Sequence, residues 1–235
     1  MRYTLDELCR LIDHTNLHPD ATHEDLARLC DEAVRYHFRM VAVNQVQSAF
    51  CAARLAGTDV HTGAAISFPL GQTSIASKVF DTKDALSQGA NEIDYVANLT
   101  EVKAGRWDYV EREMREVVSV CDEAHVPSKV IFECCLLSQE EKLALCRIAR
   151  EVGPTFVKTS TGFSTGGATV ADVRLMRANV GEKVQVKAAG GIRTADDFLA
   201  MVAAGATRVG CSKSIPIVEE LRRRMAEAGR DYVEL

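Results

Sequence analysis

Proline is scarce in this chain, with five in 235 residues, and no Pro-, Gly- or Ser-rich tract or block of like charge interrupts it. Nothing therefore marks a linker, and residues 1–235 read as one domain, a size that α/β barrels of roughly 200–250 residues commonly fill. Positive charge is not in excess: 28 Lys and Arg stand against 33 Asp and Glu, a net charge of −5. That balance gives no electrostatic ground for binding nucleic acid or an anionic membrane, so any phosphate must be gathered locally by backbone amides and a few cations. No apolar run approaches the roughly 20 residues of a membrane span. The first residues carry Asp6 and Glu7 and no apolar core of a secretory signal, so a cytoplasmic location is expected.

Other absences narrow the chemistry. The eight cysteines, Cys9, Cys30, Cys51, Cys121, Cys134, Cys135, Cys146 and Cys211, contain no C-x-x-C spacing. A chain of this length buries a core without disulfides or a structural metal, so reduced and mostly buried thiols are expected, the adjacent Cys134 and Cys135 included. His14 and His18 lie four apart, but no H-E-x-x-H accompanies them, and Pro19 and Asp20 follow at once, which reads as a loop rather than a metal-binding helix face. No metal site is expected. No G-x-G-x-x-G follows the first strand candidate, which counts against a dinucleotide-binding open sheet.

What is present is alternation. Short apolar runs occur at Leu11–Thr15, Arg39–Val43, Val60–Ile66, Glu92–Ala97, Lys129–Glu133, Thr155–Lys158, Val184–Lys187 and Thr207–Gly210, with helical periodicity between them. Trp107, Val110, Met114, Val117, Val118 and Cys121 make one helical stripe, and Leu26, Leu29, Cys30, Ala33 and Val34 another. Gly89 and Gly205 each end a helix just before a strand, and Asp20-Ala21-Thr22 and Ser138-Gln139-Glu140-Glu141 read as helix starts, the second a capping box. Eight strands alternating with helices predict an α/β fold with a parallel sheet, closed as a (β/α)8 TIM barrel. The Arg222-Arg223-Arg224 run falls on a late helix and reads as a solvated face.

In such a barrel, ligands bind at the C-terminal ends of the strands. Side chains alternate along a strand, so with Val184 and Val186 toward the helices, Gln185 and Lys187 face inward. Lys158 ends the preceding strand at the matching height, about 4.8 Å away across the sheet. Two inward ammonium groups repel, and a like charge combined with burial lowers a lysine pKa, as a nucleophilic amine requires. Asp94, between Ile93 and Tyr95, can point inward beside them and relay a proton. Asp13 is a second acid at a strand end. Three donor-rich loops follow successive strands: Thr159-Ser160-Thr161-Gly162, Ala188-Ala189-Gly190-Gly191-Ile192-Arg193, and Gly210-Cys211-Ser212-Lys213-Ser214. Their glycines, hydroxyls and cation suit an anion.

At these residues the chain resembles the deoxyribose-phosphate aldolase family. The segments Phe156–Phe163 and Val186–Arg193 are similar to its two lysine motifs. Ile12–Thr15, Phe68–Gly71, Gly89–Asp94, Lys129–Glu133 and Gly205–Gly210 follow in family order. The resemblance implies a class I aldolase without a metal or other cofactor, which reversibly cleaves 2-deoxy-D-ribose 5-phosphate to D-glyceraldehyde 3-phosphate and acetaldehyde. It implies a Schiff base on Lys158, tuning by Lys187, a relay through Asp94 with Lys187, and ordering by Asp13. Substrate and phosphate binding fall to Thr161, Gly162, Gly190, Gly191, Gly210 and Ser212, with Lys213 in the same loop. The expected cleavage has neutral Lys158 attack C1, with loss of the C3 hydroxyl proton and scission of the C3–C4 bond. Small phosphosugar and aldehyde substrates and a homodimer are implied, with Tyr232 either folded over the site or frayed. Three positions depart from the family: Ala42 stands where cysteine is usual, Gln45 where proline is common, and Lys213 where a second serine is usual. The departure at Lys213 keeps open an aldolase for another, non-phosphorylated or carboxylated, aldehyde acceptor. A phosphosugar-binding barrel without catalysis is the reading from another class, and an isomerase with a glutamate base is a weaker one.

Overall fold

The alternation of apolar and amphipathic stretches becomes an alternation of strands and helices along the whole chain, in a computed structural model that describes residues 1–235. The elements are β1 (Arg2–Thr4), α1 (Leu5–Cys9), β2 (Ile12–Thr15), α2 (His23–Arg35), β3 (Met40–Asn44), α3 (Ser48–Arg54), β4 (His61–Ile66), α4 (Ile75–Ser87) and β5 (Glu92–Val96). Then come α5 (Leu99–Lys103), α6 (Trp107–Glu123), β6 (Ser128–Ile131), α7 (Gln139–Val152), β7 (Phe156–Lys158), α8 (Val170–Asn179), β8 (Gln185–Ala189), α9 (Ala195–Ala203), β9 (Arg208–Cys211), α10 (Ser214–Glu227) and β10 (Tyr232–Glu234). Strands β2 to β9 pair in sequence and close into a parallel barrel, β9 returning to β2 with Gly210 opposite Asp13. This is the (β/α)8 barrel expected from the sequence. Helix boundaries follow the local chemistry: Thr22 and Ser138 cap α2 and α7 with reciprocal bonds to Asp25 and Glu141. Gly89 and Gly205 take the positive φ, 94° and 108°, that ends α4 and α9.

Strand alternation divides the molecule into two environments. Ile12, Val41, Ala64, Ile93, Tyr95, Val130, Val157, Val186 and Val209 face outward and join a cluster of 52 buried hydrophobic residues between the strands and the helices. The inward set includes Asp13, Glu92, Asp94, Lys129, Lys158, Lys187 and Arg208, all buried. The apolar sleeve supplies the burial that holds the barrel. Its lumen is free to be ionic.

The ends of the chain differ from expectation. Residues 2–4 and 232–234 form an antiparallel two-stranded sheet, with Tyr232 opposite Thr4 and the Arg2 guanidinium 4.7 Å from the Tyr232 ring centre. Tyr232 lies beside Leu199, Leu221 and Met225, away from the strand ends that carry the lysines. It is therefore neither frayed nor folded over the site, because strand pairing and cation–π contact tie it to the first residues. The other sequence landmarks behave as simple packing features. All eight cysteines are free and seven are buried; Cys135, expected in the core with Cys134, is exposed where the chain turns after β6. Arg222, Arg223 and Arg224 pair with Glu219, Glu220, Glu227 and Asp196 along and beside α10. No helix is long and apolar enough to cross a membrane.

Candidate active site

Register builds the centre. Lys158 is directly opposite Lys187, Lys187 opposite Arg208, and Asp94 opposite Lys129. The two lysines chosen from the sequence meet on one carboxylate: Lys158 Nζ donates to Asp94 Oδ2 at 2.9 Å and Lys187 Nζ to the same oxygen at 2.7 Å. Lys129 Nζ takes the other oxygen, Oδ1, at 2.7 Å and lies 2.6 Å from Glu92 Oε2. Arg208 Nη1 then bridges Glu92 at 3.0 Å and Asp13 at 2.8 Å. Asp13 Oδ2 is 2.5 Å from Lys187 Nζ, an ion pair whose atoms are not aligned as a hydrogen bond. Lys187 is thus held from two sides, by Asp13 and Asp94. Asp13, Asp94, Lys158 and Lys187 come together as one network.

The buried members of the network are three carboxylates (Asp13, Glu92, Asp94) and four cationic side chains (Lys129, Lys158, Lys187, Arg208), with the more exposed His61 and Arg39 reaching Glu92 from the outer end. One cation exceeds the carboxylates available, and burying unpaired charge is costly. The surplus falls on Lys158. Its pKa drops from the usual lysine value to about 8, first because burial disfavours the ammonium, then because Lys187 and Lys129 repel it, while Asp94 pulls the other way. The cationic neighbour stressed by the sequence reading contributes, but desolvation is the larger cause. Lys129, equally buried, moves in the opposite direction because Asp94 and Glu92 attract its charge more than burial opposes it. Asp94 in turn is held well below the usual carboxylate range: burial opposes ionisation, but Lys129, Lys158 and Lys187 outweigh it.

Lys158 emerges at the floor of a hollow of about 580 Å³ at the C-terminal ends of the strands. Thr161, Gly162, Gly190, Gly191, Gly210, Ser212 and Lys213 all line it, so the residues expected to hold substrate share one wall-to-wall space. Arg193 and Lys213 add two cations, and no Asp or Glu lines it. The backbone there is tight: Gly162 and Gly190 have φ of 86° and 82°, and a Cβ on Gly190 would stand 3.2 Å from the Cα atoms of Gly162 and Gly167. Two expected residues act differently from simple ligands. A Cβ on Gly210 would lie 3.2 Å from Lys187 Cε, so this glycine makes room for the lysine. The Thr161 hydroxyl donates to Glu133 Oε2 and accepts from Phe163 N at 3.0 Å, so it anchors the loop. A neighbouring hollow of about 390 Å³, past β3 and β4, contains no lysine or arginine.

Lys129, Glu92, Arg208, Glu133 and Arg193 were not chosen from the sequence as site residues. Lys129, Glu92 and Arg208 sit at strand starts, where a charge reads as surface. Their signal was alternation: Glu92 and Asp94 are two apart, so if one faces inward both do. His14 faces out of the lumen and binds Glu32, while His18 lines the hollow; the two share only a smaller hollow of about 180 Å³ beside α2.

The chain was compared with known proteins. The family model described as DeoC/LacD family aldolase matches residues 8–212. The chain is 60% identical to the deoxyribose-phosphate aldolase of Lactobacillus acidophilus, over all of this chain and 99% of that protein. It is 50% identical to that of Bacteroides thetaiotaomicron, over 92% of this chain and 91% of the relative. The solved deoxyribose phosphate aldolase of Aeropyrum pernix, described as tetrameric, superposes with a TM-score of 0.87 at 31% identity, covering 93% and 92% of the two chains. With the barrel closed, the lysine pair in place and the match running through both, the chain belongs to the DeoC/LacD family of aldolases.

Proposed function

We propose that this protein is a class I deoxyribose-phosphate aldolase that cleaves 2-deoxy-D-ribose 5-phosphate reversibly to D-glyceraldehyde 3-phosphate and acetaldehyde, with Lys158 as the Schiff-base lysine. The observation that carries the reading is a buried lysine depressed to about 8 at the floor of a cation-lined hollow. At pH 7 about a tenth of such an amine is neutral, on the order of 300-fold more than for an unperturbed lysine.

The neutral Nζ attacks C1 of the open-chain sugar. Loss of water gives a protonated imine, which withdraws electrons from C2. As the C3 hydroxyl loses its proton, the C2–C3 bond breaks and its electron pair forms the enamine, while C3 becomes the aldehyde of glyceraldehyde 3-phosphate. The bond is C2–C3, not the C3–C4 bond of the sequence reading, because only a bond to the carbon next to the imine can deliver its electrons there. Only that scission yields a two-carbon and a three-carbon product. Asp94 and Lys187, 2.7 Å apart, return a proton to C2, and hydrolysis frees acetaldehyde and Lys158. Asp13 holds Lys187 and Arg208 in place.

This chemistry calls on no metal or organic cofactor. The phosphate is assigned to the loops of Gly162, Gly190, Gly191 and Ser212, with Lys213 and Arg193 at the rim. We assign residues 1–235 to one domain and place the enzyme in the cytoplasm. We propose a homo-oligomer, a dimer by the sequence reading, and sedimentation against the tetrameric description of the Aeropyrum pernix relative distinguishes the two. Incubation with acetaldehyde and borohydride should leave a two-carbon reduced adduct on Lys158, alongside triose phosphate release in a coupled assay. A folded protein with no adduct on that residue ends this reading.

A further inference from the structure

Outside the lumen a second polar chain reaches the same hollow. His14 is the residue after Asp13 on β2 and faces the opposite way, and it is almost fully buried. Its Nε2 lies 2.9 Å from Glu32 Oε2 on α2, and its Nδ1 lies 2.9 Å from Ser214 Oγ. Ser214 is fully buried, opens α10, and places its hydroxyl 3.0 Å from the Cys211 carbonyl. Cys211, Ser212 and Lys213 between them form one wall of the hollow. β2 and β9 are the first and last strands of the barrel, with His14 opposite Cys211, so these bonds stitch the seam where the barrel closes.

Serine, histidine and a carboxylate in a row serve nucleophilic catalysis in other folds. Here no substrate atom can reach the hydroxyl, which is enclosed and already bonded to Cys211. The chain instead fixes position. A carboxylate only accepts, so the proton of neutral His14 sits on Nε2, and Nδ1 accepts from Ser214. With His14 protonated, Nδ1 donates and the Ser214 proton turns to Cys211. In the neutral state Ser214 donates to Nδ1 and accepts from the Cys211 thiol, 3.3 Å away; in the protonated state it accepts from Nδ1 and donates to the Cys211 carbonyl, so α2 is coupled to the loop in both. His14 is also packed by the Phe38 ring, 5.1 Å away between ring centres, which limits its movement.

We propose that His14 is a positioning residue for substrate specificity: through Ser214 it fixes the Cys211-Ser212-Lys213 loop and so sets affinity for the phosphate end of the substrate, not the rate of chemistry at Lys158. This rests on reading that loop as the phosphate site.

The test is steady-state kinetics of wild type, His14→Leu and Ser214→Ala on 2-deoxyribose 5-phosphate and on 2-deoxyribose, with thermal melts to confirm folding. Ser214→Ala removes a single oxygen and keeps the measurement available should His14→Leu fail to fold. We expect both variants to raise KM for the phosphorylated sugar about tenfold, with kcat and the kcat/KM for 2-deoxyribose changed by less than about threefold. An equal loss on both sugars, or an unchanged KM for the phosphorylated one, overturns the role of His14. Wild type showing no preference for the phosphorylated sugar overturns the loop assignment beneath it, a separate result seen before any variant is made.

Discussion

Lys158 and Lys187 share Oδ2 of Asp94, at 2.9 and 2.7 Å, so their nitrogens are held close by the one anion that both need. An acceptor divided between two ammonium groups, with Lys129 on its other oxygen, cannot fully stabilise either. In the proposed mechanism the reactive form of Lys158 is the neutral one, and its pKa is lowered to about 8. Below that value the amine is protonated and idle; above it the amine attacks. We expect kcat/KM to rise with pH and level off above about 8. The substrate phosphate titrates near about 6, far enough away to be told apart. A profile flat from pH 6 to 9 would remove the link between this amine and turnover.

The two partners of Lys158 act on it with opposite sign, which gives a paired prediction. Lys187→Met deletes a like charge, so the Lys158 ammonium is favoured and the acidic limb moves above its wild-type position. Asp94→Asn deletes the carboxylate that stabilises the ammonium, so the limb moves below it. Each variant also disables proton return, lowering kcat by about 10²–10⁴-fold. Shifts of the limb in the same direction in both variants would contradict the shared-carboxylate arrangement.

Most of the barrel was legible in the sequence because a parallel sheet buried on both sides writes itself as apolar runs. All eight expected runs overlap the observed strands, their limits moving by a residue or two. Lys158 and Lys187 were legible because each closes such a run, and Asp94 and Asp13 because each breaks one partway along. Glu92, Lys129 and Arg208 were not, because charges at strand starts look like surface until register brings them together across the lumen. The chain termini were missed for another reason: β1 and β10 are three residues each and stable only by pairing across the length of the chain.

Gly210 tests whether the lumen tolerates displacement of Lys187. An added Cβ would meet Lys187 Cε and Ala189 Cβ, each at 3.2 Å, and neither can retreat far inside the barrel. We expect Gly210→Ala to fold and to lose at least about tenfold in kcat, since misplacing a catalytic group by an ångström costs up to about 10²-fold. A wild-type kcat would show that Lys187 has slack in its position.

Lys213 lines the hollow with Arg193 and caps no backbone group of α10. Its ammonium is therefore available to an anionic substrate end. Lys213→Ser should raise KM for 2-deoxyribose 5-phosphate by about three- to tenfold, as loss of one exposed charge contact implies, and flatten the dependence of KM on salt. If the variant instead improves turnover of the phosphosugar, the lysine serves a different acidic acceptor, and an aldehyde panel would identify it.

A buried pair away from the hollow supports the site through the backbone. Lys78 Nζ donates to Glu113 Oε1 at 2.6 Å and to the Val96 carbonyl at 2.7 Å, and Glu113 Oε2 accepts from Asn98 N at 3.0 Å. Together they clamp the end of β5, the strand that carries Asp94. Burial is the largest influence on both, pushing Lys78 down and Glu113 up, so the pair is poorly compensated. In Lys78→Met, Glu113 keeps its burial and loses its cation, so its carboxyl rises further. A carboxyl whose pKa is higher folded than unfolded favours the folded state in acid and loses that benefit as pH climbs through the folded value. We therefore expect Lys78→Met to be destabilised by about 3–5 kcal/mol near neutral pH, with the loss shrinking in mild acid. Lys78→Met/Glu113→Gln keeps an acceptor for Asn98 N and removes the titrating group, so its melting temperature should lie above that of the single variant at pH 8 and show little of its pH dependence. Melting curves for both proteins between pH 5 and 8 decide it: a single variant whose deficit stays constant over that range would mean that Glu113 never takes up the proton.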